Sequence, residues 1–182
     1  MKTTLIFSLF SILNLSSFSQ SVEDLDRANG FLQYKLGSNP VKLKGFEKTE
    51  EIGPVQVYVT MQDSLTKLGP YKMESIALFY YNNHLWKIDL VAPGEENARG
   101  IANLLMAAYG EKYKTFTTIG KSDMKSFDYT GDKVELVVTV DFNFVSSKFE
   151  FTSLELDKEY YSGSIKTTFT KEELAVIEKL KK

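Results

Sequence analysis

Ser75–Val91, SIALFYYNNHLWKIDLV, is the stretch that decides the fold. Two apolar runs flank Asn82-Asn83, and asparagine tolerates the positive φ that a two-residue hairpin turn demands. The dipeptide predicts an antiparallel hairpin, Ser75 to Tyr81 against His84 to Val91. Such a loop sets Tyr81 opposite His84, Phe79 opposite Trp86 and Ala77 opposite Ile88. That face, extended by Leu90, is expected to meet the core. The other face pairs Tyr80 with Leu85, Leu78 with Lys87 and Ile76 with Asp89. It is more apolar than a solvated face needs, which predicts partial cover.

Upstream, Val55-Gln56-Val57-Tyr58-Val59 alternates as a strand. Residues 38–54 carry Pro40, Gly45, Gly53 and Pro54 and read as an irregular surface segment. Gly30 to Gly37 fits a short strand between two glycines, and Gln20 to Asn29 a polar lead-in with at most one helical turn.

Downstream, Pro93-Gly94 ends the hairpin, and a helix is expected over about 95–109. Its stripe is Ala98, Ile101, Leu104, Leu105 and Ala108. Glu95 and Glu96 suit its positive end, and Gly110 a left-handed stop. Strands follow over Phe116 to Ile119, Lys125 to Tyr129 and Lys133 to Phe144. In the last, Val134, Leu136, Val138, Val140, Phe142 and Phe144 share a face, as in a sheet buried on one side. Phe149 and Phe151 continue as strand, and a bulge near Thr152-Ser153 would bring Leu154 and Leu156 into phase. A C-terminal helix over about 170–181 opens with a Thr170/Glu173 capping box and carries Leu174, Ile177 and Leu180. The order predicts an α+β fold: a largely antiparallel sheet with both helices packed on it. A small outer-membrane barrel is the rival, and the two capped helices and charged last residues count against it.

The first nineteen residues set the address. Lys2, the apolar Leu5 to Leu15 and the small pair Ser17 and Ser19 have the order of a secretory signal peptide, with cleavage expected near Ser19. The apolar run is too short to span a bilayer. Residues 20–182 then form a single exported domain of 163 residues, secreted or periplasmic. No later apolar stretch is long enough for a membrane helix, so stable membrane insertion is not expected. The formal net charge of −2 becomes −3 once Lys2 is removed. Arg27 and Arg99 are the only arginines, which argues against nucleic acid. Cysteine is absent, so the core alone must hold the fold, and thiolate catalysis and cysteine zinc sites are excluded.

The chemistry-bearing residues are sparse. His84, the sole histidine, sits at the hairpin end, and nothing nominates partners for it. Glu95-Glu96 and Glu172-Glu173 sit at helix starts, and with Glu50-Glu51 they are adjacent rather than facing pairs. No calcium loop, phosphate loop or cofactor motif is present. The expectation is no catalytic, cofactor or metal residues. Tyr80-Tyr81 and Tyr160-Tyr161 would each present an outward ring if extended, and exposed tyrosines favour recognition. The expected recognition surface is Tyr80, Tyr81, His84 and Leu85.

Gly30-Phe31 with Leu36-Gly37, then Leu78-Phe79-Tyr80-Tyr81, Leu85-Trp86-Lys87-Ile88 and a helix ending Tyr109-Gly110 form a pattern. It resembles small exported bacterial proteins. The resemblance, loose over residues 30–156, implies a two-layer α/β fold, no known chemistry and no site residues. The leading expectation is a non-catalytic binding or structural module of the envelope or secretome that meets a protein or envelope component. The alternatives are a small exported hydrolase and an inhibitor of a secreted enzyme.

Overall fold

The computed structural model describes residues 21–40, 43–110, 114–117, 124–141 and 146–168. The signal stretch and the helix expected over 170–181 lie outside them, as do Phe142 and Phe144. The fold is α+β, built on an antiparallel sheet of eight strands. The chain opens with α1 (Val22–Ala28), a capped helix that ends at Asn29 in the left-handed region. A tiny hairpin follows, β1 (Gly30–Phe31) with β2 (Tyr34–Lys35). Then come β3 (Glu47–Ile52), β4 (Val55–Thr60), a second small hairpin of β5 (Lys67–Leu68) with β6 (Tyr71–Lys72), β7 (Ser75–Tyr81) and β8 (His84–Pro93). Helix α2 (Gly94–Tyr109) leads to β9 (Lys114–Thr117), β10 (Met124–Thr130), β11 (Val134–Asp141) and β12 (Ser146–Ser153), and α3 (Leu154–Thr168) ends the described chain.

The strand order is β3-β4-β7-β8-β12-β11-β10-β9. Two four-stranded meanders meet edge to edge where β8 pairs with β12. The hairpin forms as expected, with Asn82 and Asn83 at φ 49° and 63°, and Tyr81 faces His84. Helix α2 also stands where its periodicity put it, burying Ala98, Ile101 and Leu105. Leu104, 41% exposed, and Ala108 lie outside the buried stripe, and Gly110 ends the helix at φ 86°, ψ 175°, outside the left-handed helical region expected of it.

Beyond residues 21–37, where the seven-residue α1 and a small hairpin replace the expected single turn and single strand, three expectations need correction. Segment 38–54 holds β3, the sheet's edge strand; its charged, wholly exposed sequence conceals a strand that pairs with β4. The strand through Phe149 and Phe151 stops at Ser153, and Leu154 and Leu156 open α3 instead of following a bulge. Ser153 Oγ accepts a long hydrogen bond from the Leu156 amide (3.4 Å), and Glu155 and Asp157 occupy the positive end of the helix.

The third concerns the face that β7 buries. Ile76, Leu78 and Tyr80 point into the main core, not Ala77 and Phe79. The cause is a bulge: Tyr80 pairs with Leu85 but Phe79 pairs with Lys87, leaving Trp86 as the extra residue. The bulge lets Leu85 and Ile88 enter the same core and turns Trp86 and Lys87 to the other side. The core then runs through Leu78, Leu85, Ile88, Leu90, Leu136, Phe149 and Phe151 under α1, α2 and the first small hairpin. Phe31 and Tyr109 close on Phe151 at centroid distances of 5.7 and 6.5 Å. Asp26 of α1 fastens this layer to the sheet by accepting the backbone N–H groups of Asp132, Lys133 and Val134 at 2.7–2.9 Å.

Candidate functional site

Strand register lays out the other face row by row. One row reads Glu50, Val57, Phe79 and Lys87 across β3, β4, β7 and β8. The next, nearer the hairpin turn, reads Ile52, Val55 and Tyr81. On the far side Glu47, Val59, Ala77, Asp89 and Glu150 continue across to β12. The valines, Phe79 and Tyr81 form an apolar band, with carboxylates at the sheet edge and a charged strip along its inner side.

Helix α3 crosses one end of this band. The Tyr160 ring stacks on Trp86 at 4.4 Å, tilted by 30°, and meets Tyr81 edge-on at 5.5 Å. The Trp86 indole N–H donates to Asp157 (3.1 Å), so the ring satisfies its polar edge while only 7% exposed. Gly163 keeps the helix close: a Cβ there would stand 3.3 Å from the Tyr81 hydroxyl. Between α3 and the edge strand lies a groove of about 580 Å³, floored by Val55, Val57, Phe79, Tyr81 and Trp86 and walled by Tyr160. Ile52, 70% exposed, stands at its outer rim with Gly53-Pro54. A mostly apolar concavity of this size with few polar groups is the usual form of a small-ligand site.

The charges beside the groove neutralise one another in pairs. The Lys87 ammonium lies 5.3 Å from the Phe79 centroid and 5.6 Å from that of Trp86, and bonds Glu150 at 3.3 Å. Lys148 bridges Asp89 (2.8 Å) and Glu150 (2.6 Å), carboxylates that face each other across β8 and β12. Burial pushes the Asp89 carboxyl up despite Lys148, and its Oδ1 has no hydrogen-bond partner among the described residues. Burial also acts upward on Glu150, but Lys148 and Lys87 hold it below its usual range. Glu135, one strand further, is pushed up by burial and then by Asp128, Asp157 and Glu150. Carboxylates thus crowd this side of the sheet.

The residues expected to form a recognition surface do not share one. Tyr80 and Leu85 are core; Tyr80 meets Tyr58 edge-on at 5.6 Å, and burial with Tyr58 and Tyr34 pushes its hydroxyl up to about 12. Tyr81 is buried on the opposite side, in the groove. His84 alone is exposed, its Nδ1 2.9 Å from the Asn82 carbonyl, at a separate polar cleft with Arg27, Lys133 and Glu159. Tyr160 and Tyr161 lie on a helix rather than a strand, and only Tyr161 is exposed. Among the described residues no group of three or more histidines and carboxylates is placed to hold a metal. No helix among them is long and apolar enough to cross a membrane.

Comparison with protein-family models, curated proteins and solved structures gives no match. The site therefore rests on its own geometry. Sequence reading missed Glu50, Val55, Val57, Phe79, Trp86 and Tyr160 as a group. The available signal was the apolar character of both faces of β7, which a sheet covered on one side does not need.

Proposed function

We propose that the mature chain is a non-catalytic exported binding module whose ligand face is the groove between α3 and the outer strands. The observation that carries this reading is the apolar, ring-lined groove of about 580 Å³ beside a sealed core. The signal-peptide pattern of residues 1–19 supports export, with a mature start near Gln20. An envelope component or a protein segment offering an apolar body is the partner class this face suits.

Trp86 is the only tryptophan and lies in the groove floor, so it reports directly on occupancy. Its emission is expected to be blue-shifted and weakly quenched by iodide. The uncharged dye N-phenylnaphthylamine should bind mature protein with enhanced fluorescence and quench Trp86. Val55→Glu places a charge in the half-exposed floor and should abolish dye binding with the melting curve little changed. Dye binding that survives Val55→Glu, or that never occurs, would overturn the groove as a ligand site. Mass spectrometry of exported material checks the address; an intact Met1 start in the membrane fraction would overturn it.

A further inference from the structure

We infer that the groove selects an amphipathic cation, a ligand with an apolar ring or alkyl body bearing one positively charged nitrogen. The inference rests on the reading of the groove as a ligand site and adds the charge of the ligand.

Charge complementarity carries it. The one ammonium among the described lining residues, Lys87, is engaged by Glu150 at 3.3 Å, and Glu150 is also held by Lys148. Among the described residues the lining therefore offers no free cation to an anionic ligand. At the opposite rim Glu50 has no ion-pair partner among the described residues, whereas its neighbour Glu51 is paired with Lys48. Register explains the placement: the β-bulge between Lys48 and Glu50 brings Glu50 opposite Val57, the start of the row that ends at Lys87. Glu47 is aligned with Val59 on the same face. On the inner side the carboxylates Asp89, Glu150, Glu135, Asp128 and Asp157 outnumber Lys87 and Lys148 among the described side chains. Their mutual effect is visible in Glu135, raised by burial and by Asp128, Asp157 and Glu150. A body seated on Phe79, Tyr81 and Tyr160 would carry its charged end to Glu50. An ammonium there gains a counter-ion, and a carboxylate there meets repulsion from Glu50. Ring faces nearby add to the preference, because the aromatic quadrupole attracts cations.

The experiment compares three probes of one shape: naphthylmethylammonium, naphthylmethanol and naphthoate. Each is titrated into mature protein at low salt and followed by the single indole N–H resonance of Trp86. The ammonium is expected to bind about tenfold more tightly than the carboxylate, with the alcohol between them. Glu50→Gln should weaken the ammonium by about two- to fivefold and shrink its margin over the alcohol. Raising the salt should compress the order of the three. An alcohol that binds as tightly as the ammonium, or a naphthoate that binds tightest, would overturn the charge preference while leaving the groove in place. A Trp86 resonance that moves with none of the three would overturn both.

Discussion

On the α2 side of the sheet, Ile76, Leu78, Ile88, Leu90, Phe149 and Phe151 are sealed beneath two helices and a small hairpin. On the α3 side, their sequence neighbours Phe79, Lys87, Asp89, Lys148 and Glu150 are covered by a single described helix that reaches only part of the band. The strands are the same, and alternation together with the bulge at Trp86 assigns each residue to one face or the other. The first face holds the chain folded, while the second keeps an apolar concavity open beside a network of charges. The sealed core and the candidate groove are thus separated across the sheet, so a change at one position can test one face without the other.

The largest expected contrast comes from adjacent parity at large side chains. Phe151→Ala, at a fully buried position, should cost about 3–5 kcal/mol in urea unfolding. Phe79→Ala, partly exposed in the groove, should cost no more than about half of that and should weaken dye binding. Equal costs would show that the two faces are packed alike, and the comparison would fail.

Gly100 sharpens the account of the sealed side. Glycine-to-alanine in a helix ordinarily stabilises by up to about 1 kcal/mol. Here the Tyr71 ring lies flat on α2, and a Cβ would come within 2.1–2.4 Å of it. Gly100→Ala should therefore reverse the usual sign and destabilise by about 1–3 kcal/mol. A raised melting temperature would mean that the ring moves aside freely.

Asp26 tests how α1 is fastened. Burial acts upward on its carboxyl, but three backbone N–H donors from Lys133, Asp132 and Val134 outweigh it and hold the pKa below the ordinary aspartate value. A depressed folded-state pKa contributes stability that is present above the unfolded value and lost as pH falls through the folded one. Asp26→Ala should cost about 1–2 kcal/mol at neutral pH, and the gap from the parent should close in acid. A gap independent of pH would show that packing, not the carboxylate, is what the variant removes.

Asp89 gives the smallest effect and the opposite sign. Burial raises its carboxyl more than Lys148 lowers it, so the ionised form weakens the fold above the raised pKa, and protonation relieves that as pH falls. Lys148 keeps Glu150 as a partner in its absence. Asp89→Asn should match or slightly exceed the parent at neutral pH, by less than about 1 kcal/mol, and the difference should vanish in acid. A clear loss of stability would show that the Asp89–Lys148 pair is net favourable.

Much of the architecture was legible in residues 75–110, because Asn82-Asn83 dictates a positive-φ turn and the α2 stripe has helical period. The α+β class followed from that order of elements. Strand β3 was not legible, since an edge strand of Glu and Lys carries no alternation of apolar residues. The candidate site was legible only as an anomaly, an excess of apolar residues on both faces of β7. The nominated surface of Tyr80, Tyr81, His84 and Leu85 assumed that one of those faces was open. Tyr80 and Leu85 are buried in the main core and Tyr81 lies against Tyr160 of α3, which removes three of the four from solvent.

By itself the sequence determined the local elements that depend on neighbours along the chain: the hairpin turn, the start and stop of α2, and the alternation in β11. Which side of β7 faces the core was decided by tertiary structure. A one-residue bulge at Trp86 flips every register position beyond it, and no local preference at Leu85-Trp86-Lys87 announces it. The side that α3 covers was decided in the same way. Trp86, turned outward by the bulge, needs both an aromatic neighbour and an acceptor for its N–H, and Tyr160 and Asp157 supply them from a helix 71 residues away in the chain at Asp157. Among the described residues these distant choices set Tyr160 as the wall of a groove floored by Val55, Val57 and Phe79.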